Sequence, residues 1–316
     1  MATSNSTGGF PLAGFLLAIA SAATFALSGI FASALMAAGW SAGATTTTRL
    51  VLAALVLLVP TVVSMRGRWS LLRHGWKSVL LFGLLAVAIC QLAFFMSVQL
   101  IAPSLALLIE FMGPVLLVLW VWLRTRMAPS ALTLVGAVLA VGGLLAISGI
   151  GGGGAALHPL GIVFGLVAAI GNAAYYAAGA QASHGIPPIP FVGLGLGLGA
   201  VVLVCVSLTG ILPFEVADAP VVIAGAEVSP VVAVAGLVVI STATPYVLGV
   251  AASRRLGATL SSFTGYSEAL FGIFWTIVLL AILPTGMQWI GAALIISGVV
   301  VVRLGELAKG RDRGRA

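Results

Sequence analysis

Charge is what this chain has least of. Only 7% of its 316 residues are charged and 61% are hydrophobic. An ordinary soluble domain carries ~25% charged residues, so a soluble globular fold is excluded. Cysteine is nearly absent. Cys90 and Cys205 both stand inside apolar runs, so no structural disulfide is expected and both read as small packing residues. The three histidines, His74, His158 and His184, fall at loops or helix ends, which suggests neither a metal site nor a histidine proton relay. No Ser/His, paired-His or Cys/His arrangement occurs within the apolar runs, so an enzyme has no visible nucleophile or metal. There is no nucleotide-binding loop, and no cofactor is expected. The net charge of +7 does not point to nucleic acid, because Lys and Arg sit in short loops and at the C-terminus, where membrane proteins keep cytoplasmic charge.

Apolar sequence is what the chain has most of. Ten segments have spanning length, at approximately 12–38, 42–64, 78–98, 102–123, 129–149, 159–182, 188–210, 231–252, 257–280 and 285–303. The first begins near Pro11 after a polar head without Lys or Arg and runs past the length of a signal-peptide core, so it reads as a retained span. The expected fold class is therefore an all-α integral membrane protein with ten transmembrane helices. Arg66, Arg68, Arg73 and Lys77 follow helix 2, Arg124 and Arg126 follow helix 4, and Arg254 and Arg255 precede helix 9. With both termini inside, all of these and the basic tail from Arg303 onward are cytoplasmic. Glu215, Asp218 and Glu227, after helix 7, then lie outside.

The two halves resemble each other. A shift of 155 places Leu105 on Leu260, Trp120 on Trp275, Pro129 on Pro284, Gly136 on Gly291 and Gly143 on Gly298. A shift of 150 places Leu16 on Leu166, Gly29 on Gly179 and Ser33 on Ser183. The Gly-rich connection after helix 5 divides the chain into a repeat over 1–150 and a second over 151–316. An odd number of helices per repeat requires opposite orientations, and inverted repeats with a midplane site between them mark transporters.

Three charges lie inside the spans: Arg49, Glu110 and Glu268. Charge at that depth costs several kcal/mol and normally marks a pathway. At ~1.5 Å per residue in a ~30 Å core, Arg49 lies roughly 10 Å, Glu110 roughly 12 Å and Glu268 roughly 14 Å from the outer surface. A common layer and one polar site are expected. The blander reading is a buried structural pair of Arg49 with one Glu, or an Arg49 that snorkels to the interface. Ser261, Thr264, Gly265 and Glu268 share a polar face, which suits a wet cavity better than a dry pair. Gln91, Asn172, Tyr175, Tyr176 and Tyr246 are candidate cavity residues, or equally helix–helix hydrogen bonds and interfacial aromatics. Phe25, Phe94, Phe111, Tyr266 and Trp275 shape a pocket or pack its wall. Pro114 breaks helix 4, and with Pro245 is a candidate hinge. Gly193, Gly195, Gly197 and Gly199 interleave two GxxxG spacings, for close packing within a monomer or in a homodimer. Thr45 to Thr48 are placed to satisfy backbone groups where helix 2 begins.

The duplicated ten-helix plan, TTTTRLVLAAL around Arg49, LALLIEFMGPV around Glu110 and STATPYVLGVAASRRLGATLSSFTGYSEALFGIFW over helices 8 and 9 resemble the drug/metabolite transporter superfamily. Within it the chain is most similar to the EamA-type exporters, nearest the threonine/homoserine exporter subgroup. That subgroup has Glu-Pro late in helix 9, where this chain has Glu268-Ala269. The resemblance implies a multi-pass protein of the bacterial inner membrane that exports amino acids or related metabolites in exchange for protons. In that scheme Arg49 takes the carboxylate of a zwitterion, and Glu110 and Glu268 take its ammonium group or a proton. A buried carboxylate resists ionisation, which suits it to carrying a proton. Larger lipophilic or aromatic cargo is the alternative within transport, and a membrane assembly protein is the alternative outside it.

Overall fold

The computed structural model describes residues 12–101, 103–148, 158–181, 185–281 and 283–313. Ser183, His184, most of the Gly-rich connection and the 150/151 division between the expected repeats lie outside these residues. Nine described helices are long and apolar enough to cross a membrane. We number the helices α1 (Leu12–Ala37), α2 (Ala42–Ser64), α3 (Ser70–Val98), α4 (Pro103–Glu110 with Gly113–Thr125), α5 (Ala131–Ser148) and α6 (Pro159–Ala180). The remaining four are α7 (Pro188–Leu208), α8 (Pro230–Leu256), α9 (Ala258–Gly265 with Ser267–Leu280) and α10 (Gly286–Arg313). The apolar part of α5, Ala131–Ile147, is the one shorter than a full crossing among them.

Two boundaries differ from the sequence expectation by eight residues or more. α3 starts at Ser70, not 78, because the basic stretch through Lys77 is helical and buries Gly75 and Val79 on its inner side. α10 continues past Arg303 to Arg313 for the same reason: a charged sequence can propagate a helix that an apolar one has nucleated. The departure from helix among the described residues is a hairpin of β1 (Val221–Ile223) and β2 (Ala226–Val228), paired Val221↔Val228 and Ile223↔Ala226. Its turn residues Ala224 and Gly225 have φ of 53° and 78°, the two positive values that a tight two-residue hairpin requires. The loop before the hairpin is held down on the α1–α2 turn. Ser41 caps α2 by accepting from the Ala44 N–H at 3.1 Å, and its hydroxyl donates to the Pro213 carbonyl at 2.8 Å. Trp40 donates its indole N–H to the Ala217 carbonyl at 2.9 Å.

Irregularities recur at matching positions. α3 carries a π-helical stretch at Phe82–Ile89 and α8 carries one at Gly236–Ala243, 154 residues later at both ends. Wider turns of this kind leave carbonyls underused. In α8, Ser241 and Thr242 donate to the Leu237 carbonyl at 3.0 and 2.7 Å. α4 breaks at Phe111 and α9 at Tyr266, a shift of 155. Pro114 starts the second half of α4, where its missing N–H costs nothing. α9 breaks without proline. Tyr266 N–H turns to the Phe263 carbonyl at 3.1 Å, and Ser267 Oγ donates to the Thr264 carbonyl at 2.6 Å.

Helices α5 and α10 touch backbone to backbone. A Cβ on Gly136 would meet the Gly298 carbonyl, and one on Gly143 the Gly291 carbonyl, each contact being reciprocated. Gly136 matches Gly291 and Gly143 matches Gly298 in the 155-residue register, so the contact is self-complementary, as across a two-fold axis. The glycines of α7 serve packing inside this chain. Gly193 admits Thr61, Gly195 admits Phe82 and Gly199 admits Val87, while Gly197 faces open space.

Candidate functional site

The helices enclose a chamber of about 950 Å³. Its walls come from α1, α2, α3, α4, α6, α8 and α9, with residues at the ends of α5 and α10. It runs from Ser21 and Gly249 within the bundle, and Ser261 one turn into α9, to Met36, Ala42, Leu280, Pro284 and Gln288 at the end where the acidic loop lies. Toward the basic end the helices close. Gly14 of α1 lets Leu256 and Arg255 pack directly against its backbone, and the buried hydroxyls of Ser253 and Ser261 lie 2.9 Å apart.

Arg49, Glu110 and Glu268 all line this one chamber, from α2, α4 and α9. So do Gln91, Asn172, Tyr175, Tyr176, Tyr246 and Phe25. Tyr266 does not border it. Tyr266 is buried between α4 and α9, its ring 6.2 Å from Phe111 and 5.6 Å from Phe263. Pro114 and Pro245 also stand behind the wall, where the Pro245 carbonyl accepts from Ser21 Oγ at 2.8 Å and so ties α8 to α1. Trp275 lies off the chamber as well and donates its indole N–H to the Ala23 carbonyl at 2.8 Å. Of the threonines in α2, Thr45 donates to the Ser41 carbonyl at 3.0 Å, and Thr45 and Thr46 reach the chamber.

The guanidinium of Arg49 is bound to a neutral group: Nη2 donates to Gln91 Oε1 at 2.7 Å. Its Nε is buried without a partner. An arginine fixed by an amide on one edge keeps its remaining donors for an incoming oxyanion. Glu110 sits at the end of the first half of α4, and Cys90 Sγ lies 3.5 Å from its Oε1 and 3.3 Å from the Ala168 carbonyl. Sequence reasoning treated Cys90 as packing alone. No signal in the sequence marks it, because adjacent residues of a helix point about 100° apart and standing next to Gln91 does not put both on one wall.

Helix α6 spans the two breaks. Asn172 and Tyr176 are one helical turn apart and so share a face. A Cβ on Gly113 would come within 2.9 Å of the Asn172 Cβ, and one on Gly265 within 3.0 Å of Tyr176 Cζ. The absence of side chains at Gly113 and Gly265 therefore admits these two polar groups into the interrupted turns of α4 and α9. Asn172 Oδ1 is left buried without a partner, as is the Tyr175 hydroxyl. The aromatic wall is built edge to face, with Phe25 5.1 Å from Tyr246, and Tyr175 4.9 Å from Tyr176 and 5.6 Å from Tyr246.

A bundle of membrane-crossing helices around a chamber that carries an arginine, two carboxylates and unpaired polar atoms defines a multi-pass protein that handles a solute within the bilayer. The profile of the EamA-like transporter family matches residues 12–149 and again residues 159–304, and the chain belongs to that family. It is 24% identical over 267 residues to the uncharacterized inner membrane transporter YicL of Salmonella typhimurium, which covers 83% of this chain and 85% of the relative. A solved crystal structure shares its fold with a TM-score of 0.72 at 19% identity, covering 92% of this chain and 96% of that one. The protein is thus a multi-pass inner-membrane transporter.

Proposed function

We propose that this transporter exports a small zwitterion, an amino acid or close relative, in exchange for protons. The observation that carries the reading is that the three intramembrane charges meet in one chamber. Arg49, braced by Gln91, offers its free edge to a carboxylate, a shape its planar fork fits. Glu110 and Glu268 answer the ammonium group or carry a proton, and occupation by one excludes the other. Proton arrival from outside then displaces the cargo.

The same reading counts α5 as a crossing, giving ten spans with both termini cytoplasmic and the chamber directed outward. It takes 1–150 and 151–316 as inverted repeats that rock about the chamber, with Pro114 and Pro245 at the pivots. The matched π stretches, the matched breaks and the self-complementary glycine contact support this. The family profile matching twice supports it too. The GxxxG run supports a monomer, since three of its four glycines are used internally.

The test is efflux from proteoliposomes under an imposed pH gradient. Glu110→Gln and Glu268→Gln should each abolish gradient-driven transport. Unchanged transport by both variants refutes the coupling role. A second reading, larger aromatic or lipophilic cargo, is favoured by the size of the chamber and by Phe25, Phe94, Phe95 and Phe111 on its walls. Transport of a dye but of no amino acid would select it.

A further inference from the structure

Two tryptophans that correspond under the 155-residue shift stand in opposite situations. Trp275, on the second half of α9, is half-buried and its indole N–H ties α9 to the Ala23 carbonyl of α1. Trp120, on the second half of α4, is 45% exposed, and Arg124 lies over its ring at 5.2 Å. The shift of 150 that relates α1 to α6 places Ala23 on Ala173. Helix α4 packs on α6 just as α9 packs on α1, so both halves own the same donor and the same carbonyl. One half has made the bond and the other has not.

We propose that Trp275 and Trp120 are alternating latches, one for each access state. The inference rests on the inverted-repeat part of the proposed function. If the halves are inverted copies, the state open at the basic end is this state with the conformations of the halves exchanged. The bond Trp275–Ala23 then becomes Trp120–Ala173, and Trp275 is released. In the present state the chamber reaches the acidic end, and Trp275 is the latch that is closed. Each bond exists in one state only, so each biases the equilibrium by its own strength, which a contact kept in both states cannot do.

The exchange supplies its own reporter. Ile273 lines the chamber now, and Val118 is its counterpart under the same shift. Val118→Cys, in a chain whose Cys90 and Cys205 are replaced by Ala, reports the state open at the basic end through its rate of reaction with an impermeant maleimide in inverted vesicles. Trp275→Phe removes one latch and should raise that rate, by roughly five-fold for a hydrogen bond of ordinary strength. Trp120→Phe removes the other and should lower it by a similar factor. The double variant should return close to the parent rate. Two single variants that move the rate in the same direction, or that leave it unchanged, overturn the latch. If one variant fails to assemble, the other still has a predicted sign, and the opposite sign or no change refutes the proposal. The readout needs no cargo, so normal coupling in Glu110→Gln and Glu268→Gln would sink the proton-exchange reading and leave this contrast standing.

Discussion

Phe111 and Tyr266 occupy the breaks of α4 and α9, and their rings meet edge to face with centroids 6.2 Å apart. Counterparts in the repeat register therefore touch each other at the chamber wall, with Phe111 bordering the chamber and Tyr266 packed behind it. Tyr266 is fully buried and its hydroxyl has no partner. Tyr266→Phe should then leave thermal stability equal or slightly higher, because an unsatisfied buried hydroxyl is lost. It should also leave transport intact, since the ring does not border the chamber. Tyr266→Ala should cost about 3–5 kcal/mol through the cavity it opens. A chemical-denaturation series on the two purified variants, alongside a transport assay, checks both statements.

The glycines at the breaks make a second prediction. Gly113→Ala and Gly265→Ala push a methyl into Asn172 and Tyr176, and each should destabilise the protein by about 1–3 kcal/mol. Both should also slow transport, because the displaced groups line the chamber. Gly197→Ala is the control. Nothing lies within 4 Å of the added methyl, so it should be neutral or stabilising by up to about 1 kcal/mol.

The break in α4 was legible in the sequence, because Pro114 announces itself through its missing N–H. The break in α9 was not, since Glu268 is followed by Ala269 and the interruption comes two residues earlier, at Tyr266. The π stretches were equally hidden: FGLLAVAI reads as ordinary apolar helix, and a wider turn leaves no mark on composition. Arg49, Glu110 and Glu268 were found because a charge in lipid needs an explanation. Their assembly in one chamber, with Gln91 and four further polar or aromatic candidates from α6 and α8, is tertiary. Tyr266 failed to reach the wall because a tyrosine's apolar ring is equally content in a packed seam. Cys90 was overlooked because a thiol in an apolar run is indistinguishable from a small packing residue until its neighbour Glu110 is placed.

Ser41 fastens the acidic loop. It caps α2, donates to Pro213 and accepts from the Glu215 N–H at 3.0 Å. Ser41→Ala should lose about 1–2 kcal/mol, at the upper range for an N-cap. Limited proteolysis should cut the 209–229 connection faster in the variant, with the rest of the bundle unaffected.

Arg49 should distinguish cargo by its carboxylate. Arg49→Lys keeps the charge but loses the fork, and Arg49→Ala loses both. Affinity for a carboxylate-bearing cargo should fall roughly ten- to hundred-fold in the alanine variant, the loss of a charge-assisted bond. An esterified or amidated analogue should bind the two proteins equally. Equal loss for the analogue would return Arg49 to a structural role.

The most direct test of the chamber is ligand-induced stabilisation of the purified protein, because whatever binds the folded state raises its melting temperature. Wild-type protein and Arg49→Ala are screened against the amino acids, their amides and a set of neutral aromatic compounds. The account predicts that at least one amino acid raises the melting temperature of the wild type, and that its amide and the Arg49→Ala variant show no such rise. Stabilisation by neutral aromatics alone, undiminished in Arg49→Ala, would contradict it.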